Sequence, residues 1–147
     1  MGLVDRHIVD VHLLLLQEGR VLLSMRRGDA YDGLWHLPSG KLDEGEGLAS
    51  AAAREAHEEI GVRTEPRELR HVHVAHVVAP GLPSRIGHFF TAERWLGDPI
   101  NCEPAKCYRL AWFPLDALPA GIIEYSAVGI TAYRDGNTGL STLGWGG

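Results

Sequence analysis

Ile8 to Leu16 is an apolar run and reads as a strand. Gly19 supplies a turn, and Val21 to Met25 reads as a second strand, so the two form a hairpin. Arg26 to Leu37 is loop-like, with Gly28, Asp29, Asp32 and Gly33, and Pro38-Ser39-Gly40 is a further turn. The period then changes. Leu48, Ala49, Ala52, Ala53, Ala56 and Ile60 recur at helical spacing among good helix formers, and Gly61 is a suitable stop. The spacing predicts a helix over 47–60. Beyond it, Leu69 to Ala79, His88 to Trp95 and Leu110 to Phe113 read as strands, and Ile122 to Arg134 as a second helix. Strands on both sides of one strong helix indicate a layered α/β or α+β domain. From Asp135 to Gly147 the chain is Gly-rich and short of core residues, which predicts a loosely docked tail behind a single domain over 1–134.

Composition narrows the class. The 147 residues suit one domain, long enough to bury a core without a disulfide or metal staple. With 45% hydrophobic and 22% charged residues, wholesale disorder is excluded. The net charge of −5 does not attract a nucleic-acid backbone, so nucleic acid is not an expected partner. Any phosphate chemistry needs a local basic patch or a bound cation. Cys102 and Cys107 make no disulfide framework and read as reduced thiols of a cytoplasmic protein. The run Leu13 to Leu16 is too short for a signal peptide, and no stretch approaches the 18 or so apolar residues of a membrane span.

The chemistry concentrates in Arg54-Glu55-Ala56-His57-Glu58-Glu59. Glu55 is i,i+3 to Glu58 and i,i+4 to Glu59, so the three carboxylates share one helix face, with Arg54 i,i+4 to Glu58. Ala49, Ala53, Ala56 and Ile60 line the opposite side as a small-residue packing seam. Such a face is either a solvated acidic surface or a site for a hard divalent cation. The residues upstream decide between them. Gly40, Glu46, Arg54, Glu55, Glu58, Glu59 and Gly61 occupy the seven fixed positions of Gly-x5-Glu-x7-Arg-Glu-U-x-Glu-Glu-x-Gly-U, where U is apolar. Val62 fills the second apolar slot, and the small Ala56 fits the first only loosely. A chance match at one position is on the order of 10⁻⁸ to 10⁻⁹.

This pattern is the Nudix box, and the chain resembles the Nudix (MutT-like) hydrolases over residues 40–62, about a sixth of its length. The resemblance implies an α/β/α sandwich with a mixed central sheet. It also implies a Mg²⁺-dependent enzyme, with Mn²⁺ as a substitute, that cleaves a pyrophosphate bond in a small nucleotide substrate. Carried onto this chain, it makes Glu55, Glu58 and Glu59 the metal ligands. Glu46 and the Gly40 carbonyl are further contributors, and Arg54 orients a neighbouring glutamate. The catalytic base is Glu58 or Glu103, the latter in Asn101-Cys102-Glu103-Pro104, where an exposed loop carboxylate is the competing reading. Ser39 departs from the glycine that many members carry. Homodimers are common in proteins of this kind, although no interface signature is visible.

Other residues leave alternatives open. Arg26, Arg27 and Lys41 are candidates for holding a terminal phosphate, against a solvated-surface reading. Trp35 reads as core before base stacking. On strand parity, His71 and His73 share a face and His76 falls on the other, as ordinary strand polarity. Phe89 and Phe90 point to opposite faces. The competing functions are a nucleotide-sugar or ADP-ribose pyrophosphatase, a non-catalytic nucleotide-sensing module, and an RNA 5′-end hydrolase. The intact carboxylate set opposes the sensor, and the net charge opposes the last.

Overall fold

In the computed structural model, which describes residues 2–145, the sheet is organised around one long strand, β1 (Ile8–Gln17). Through the turn at Gly19 it pairs antiparallel with β2 (Arg20–Arg26), but only at Leu16–Val21 and Gln17–Arg20. The strands then diverge into two wings. The larger wing runs β4 (Ser39–Lys41), β1, β6 (Arg85–Ala92), β5 (Arg70–Val77) and β8 (Leu140–Leu143). The smaller is β3 (Trp35–His36), β2 and β7 (Cys107–Pro114). The β1–β6 and β5–β8 pairs are parallel and the rest antiparallel, so the sheet is mixed, as expected.

Alternation along β1 builds two cores. Val11, Leu13 and Leu15 meet Ala52, Ala56 and Ile60 of α1 (Leu48–Ile60) on one face, together with Phe90 and Ala92. Leu14 and Leu16 meet Phe89 and Ile130 on the other, where α2 (Glu124–Arg134) lies. Phe89 and Phe90 thus do point to opposite faces. Trp35 is core, edge-on to Phe113 at 4.8 Å. Cys102 and Cys107 are both free. No described helix is long and apolar enough to cross a membrane.

Several expectations change. The seam of α1 is Ala51, Ala52, Ala56 and Ile60, with Ala49 and Ala53 only half-buried. At about 100° per residue, Glu55 and Glu59 fall inside that buried arc, between Ala51 and Ala56. Acid and packing therefore share a face instead of opposing one another. The stretches read as loop and turn contain β3 and β4, which are too short to carry a period. β6 begins at Arg85, three residues ahead of the expected His88. The tail does not stay loose, because Leu140 to Leu143 pair with Val74 to Val77 as an edge strand. Gly146 and Gly147 of that tail lie outside the described residues. A bulge between His71 and His73 breaks the strand parity. His71 pairs with Phe90 and His73 with Phe89, so these two histidines lie on opposite faces, and His71 shares the α1 side with His76.

β1 also carries polar residues into the second core. Asp10 is buried and accepts from Arg85 Nε at 2.7 Å, from Arg85 Nη2 at 3.1 Å and from Tyr125 Oη at 2.9 Å. His12 is 4% exposed, stacked on Phe89 at 4.4 Å, and neither ring nitrogen has a hydrogen-bond partner. Burial lowers its pKa from 6.5 to about 4, since a charge there would lose its hydration. The unfolded chain therefore binds this proton first as pH falls. The neutral ring's contribution is complete above pH 6.5 and is lost progressively down to about pH 4, amounting to about 3 kcal/mol. Urea unfolding is expected to show that His12→Leu loses about 3 kcal/mol less stability between pH 7 and 4 than the wild type does, while the contributions of His36 and Glu59 are common to both.

Candidate functional site

The site is assembled where the C-terminal half of α1, from Arg54 onward, meets β4 and the loop that follows it. Arg54 is its hub. Its Nε and Nη2 donate to the two oxygens of Glu46 at 2.7 and 2.9 Å. Its Nη1 donates to Glu55 Oε1 at 2.8 Å and Glu58 Oε2 at 3.2 Å, and Nη2 also reaches the Lys41 carbonyl at 3.2 Å. One planar cation thus ties the loop to three carboxylates in the fixed geometry that a guanidinium allows. The hydrogen bonds from Arg54 hold the Glu46 carboxyl below the usual range.

Two glutamates point inward. The Glu55 carboxylate lies over Gly40, where any Cβ would overlap it, and this explains the glycine. Glu59 accepts the Ser39 N–H at 3.0 Å. Because the main chain makes that bond, the serine in place of a glycine at 39 leaves the contact intact. Burial pushes Glu59 up to about 9, and the charges of Glu55 and Glu103 add to the effect. Burial raises Glu55 as well, against the pull of Arg54. Glu58 is more exposed, with 55% of its side-chain surface open.

Glu103 arrives on a separate loop that Gly61 permits. Gly61 ends α1 at φ 72°, and a side chain there would press on Ile100 Cγ1 at 3.0 Å and Cys102 Sγ at 3.2 Å. Ile100 N–H and Cys102 N–H donate to the carbonyls of Ile60 and Glu59, which docks the loop on the helix end. Asn101 Oδ1 accepts the Glu103 N–H at 3.0 Å, while its Nδ2 donates to the Cys107 carbonyl. Arg27 belongs to this neighbourhood, since its Nη1 donates to the Pro104 carbonyl at 3.2 Å. Arg26 does not: it is paired with Asp29 and lies over Tyr31. Lys41 is exposed and lines an open groove of about 450 Å³ with His7, Val9, Glu44 and Glu46. A wider groove of about 820 Å³ opens between Gln17, Glu93, Trp95 and Tyr133, and Glu46, Glu55, Glu58, Glu59 and Glu103 do not line it.

The donors are hard oxygens, which suits Mg²⁺ or Mn²⁺. Inward-facing Glu55 and Glu59 side by side are an acid excess that a dication would relieve. Among the described residues, no three His, Cys, Asp or Glu side chains already converge as a ligand set. Arg54 instead holds oxygens of Glu55 and Glu58 turned toward itself.

Sequence reasoning missed His12 and His36, both held well below the usual histidine pKa, chiefly by burial, and the Asp10–Arg85–Tyr125 network. The signal was present. Asp10 and His12 are polar positions two apart in an apolar strand.

Most of the chain resembles known proteins. The NUDIX domain family matches residues 5–131. The chain is 34% identical over 108 residues to the oxidized purine nucleoside triphosphate hydrolase of Mus musculus, covering 73% of this chain and 66% of that protein. It is 39% identical over 121 residues to the CMP-5'-(N-acetyl-N-hydroxy-3-aminopropyl)phosphonate hydrolase of Streptomyces rubellomurinus, covering 77% and 56%. The chain thus spans just under two thirds of the first relative and a little over half of the second. A crystal structure of a MutT NUDIX hydrolase from Burkholderia pseudomallei superposes with a TM-score of 0.80 at 26% identity, over 86% of this chain and 98% of that one.

Removing the hub should loosen what it ties. Arg54→Gln is expected to cost about 1–3 kcal/mol by leaving Glu46 and Glu55 without their donor. Lys41→Gln, a surface change, is expected to stay within about 0.5 kcal/mol. Parallel urea melts of the two variants check the difference.

Proposed function

Since the chain belongs to the NUDIX family, we propose that it is a Mg²⁺-dependent hydrolase. It splits the pyrophosphate linkage of a nucleoside di- or triphosphate, or a close derivative, by in-line attack of water. The observation that carries this reading is the Arg54 fork, which gathers Glu46, Glu55 and Glu58 beside Gly40 while Glu59 stands next to Glu55. Glu55, Glu58 and Glu59 would hold the cation, with Glu46 and the Gly40 carbonyl as further contributors; Mn²⁺ would serve as well. Such a cation, when bound, neutralises the charge of the pyrophosphate and acidifies water.

The chain's own residues do the rest. Arg54 keeps the glutamates in place and is a positioning residue. Glu103 is the candidate base that takes the proton of the attacking water, and its loop is docked on the end of α1 and braced by Asn101. Glu58, exposed on the helix, is the alternative base within the box. Arg27, held beside Glu103 by the Pro104 carbonyl, is better placed for a substrate phosphate than Arg26, whose charge Asp29 already answers. Lys41, on the groove beside Glu46, is a third phosphate candidate.

The relatives' names support the nucleotide class. One specifies an oxidized purine nucleoside triphosphate and the other a CMP derivative, so a nucleotide is common to both while the base differs. Two free cysteines support a reducing, cytoplasmic setting.

The test is a phosphate- and pyrophosphate-release screen with Mg²⁺ and with Mn²⁺. Nucleoside triphosphates, diphosphates, nucleotide sugars and dinucleotides are the substrates. Release is expected from one class, abolished by excess chelator and by Glu58→Gln. Glu103→Gln is expected to lower the rate at least about 10²-fold. Full turnover in chelator would overturn the metal mechanism, and a loss under about threefold would remove Glu103 as base.

A further inference from the structure

Four histidines lie on the α1 side of the sheet, in two pairs. His71 Nε2 and His88 Nδ1 are 3.0 Å apart, and His7 Nε2 and His76 Nε2 are 2.8 Å apart. None belongs to the carboxylate site. The second pair has features the first lacks. Its two facing atoms are both Nε2 nitrogens. The other nitrogen of His7, Nδ1, faces Asp5 Oδ2 at 3.7 Å. The His76 ring is covered by Trp145 at 4.4 Å between centroids, and Trp145 Nε1 donates to the His76 carbonyl at 3.1 Å.

We propose that His7 and His76 form a second cation site, selective for a borderline divalent transition ion such as Zn²⁺, Ni²⁺ or Cu²⁺. Imidazole is the ligand these ions prefer, whereas the acidic box offers hard oxygens. The spacing fits. Two imidazole nitrogens about 2.05 Å from one ion stand roughly 2.9 Å apart at a right angle and about 3.3 Å apart at the tetrahedral angle. The pair needs to open by only a few tenths of an ångström. A carboxylate behind the distal nitrogen is the usual outer partner of a metal-bound histidine, and Asp5 stands on that side of His7. Among the described residues no third protein ligand joins the pair, so water completes the coordination. Access comes from the open groove that His7 lines.

The two ligands come from distant parts of the chain. His7 precedes β1, and His76 lies on β5, with β6 between them. An ion held there would fasten the start of β1 across β6 to the strand that β8 and Trp145 also hold. It would therefore stabilise the fold as well as bind.

The test uses the full chain with Mg²⁺ in excess, so that the carboxylate site is occupied. Zn²⁺ titrated by calorimetry is expected to bind at one equivalent per chain and to raise the melting temperature. His7→Gln and His76→Gln are each expected to weaken binding at least tenfold, Asp5→Asn to weaken it less, and His71→Gln and Glu58→Gln to leave it unchanged. Substoichiometric Cu²⁺ on the wild type is expected to broaden the ring resonances of His7 and His76 before those of the other histidines. That readout needs no variant to fold. Absence of binding, binding that survives both histidine changes, loss of binding in Glu58→Gln, or Cu²⁺ broadening that starts elsewhere would each overturn the proposal.

Discussion

One guanidinium decides the geometry of this molecule's acidic end. Arg54 lies close to Glu46, Glu55 and Glu58 and reaches the Lys41 carbonyl, so loop and helix share a single clamp. Without a counter-charge, so many carboxylates around one helix turn would repel each other. A lysine at this position could not replace the fork, because a point charge cannot meet a carboxylate with two parallel bonds. The spacing of Glu46 and Arg54 along the chain is therefore a length constraint: the loop between them must return to the clamp.

The second constraint is burial. Glu55 and Glu59 lie within the inward arc of α1, and both are pushed upward, mainly by the loss of water around them. The fold accepts that cost by supplying specific support. Gly40 leaves room for one carboxylate, and the Ser39 N–H meets the other. A helix selected only for stability would carry alanine or leucine at these positions. The acids are kept at a stability disadvantage, which supports the cation site proposed for them.

Much of this was legible in the sequence, for physical reasons that differ by element. β1, β2 and α1 are long and periodic, so their patterns survive in isolation. β3, β4 and β8 are short and exist because neighbouring strands offer hydrogen bonds, which no local pattern records. The faces of the histidines failed for a sharper reason: a single bulged residue between His71 and His73 reverses the parity of everything before it. At the site, the box residues were identifiable from spacing alone. Their partition into inward Glu55 and Glu59 and outward Glu58 was not, because it depends on how far α1 is rotated on the sheet.

The fork of the sheet has an evolutionary consequence. Its two wings share a main-chain seam of only two residue pairs, at the end of the β1–β2 hairpin. The box helix rests on one wing, while Arg26, Arg27 and Tyr108 ride on or beside the strands of the other. Coupling between the wings therefore runs through side chains: Leu22, Leu110 and Trp112 of the smaller wing pack in the α1 core, and Arg27 holds the loop that carries Glu103. A lineage built on this scaffold can vary exposed positions of the smaller wing freely, whereas changes at those few buried contacts reach the box helix directly.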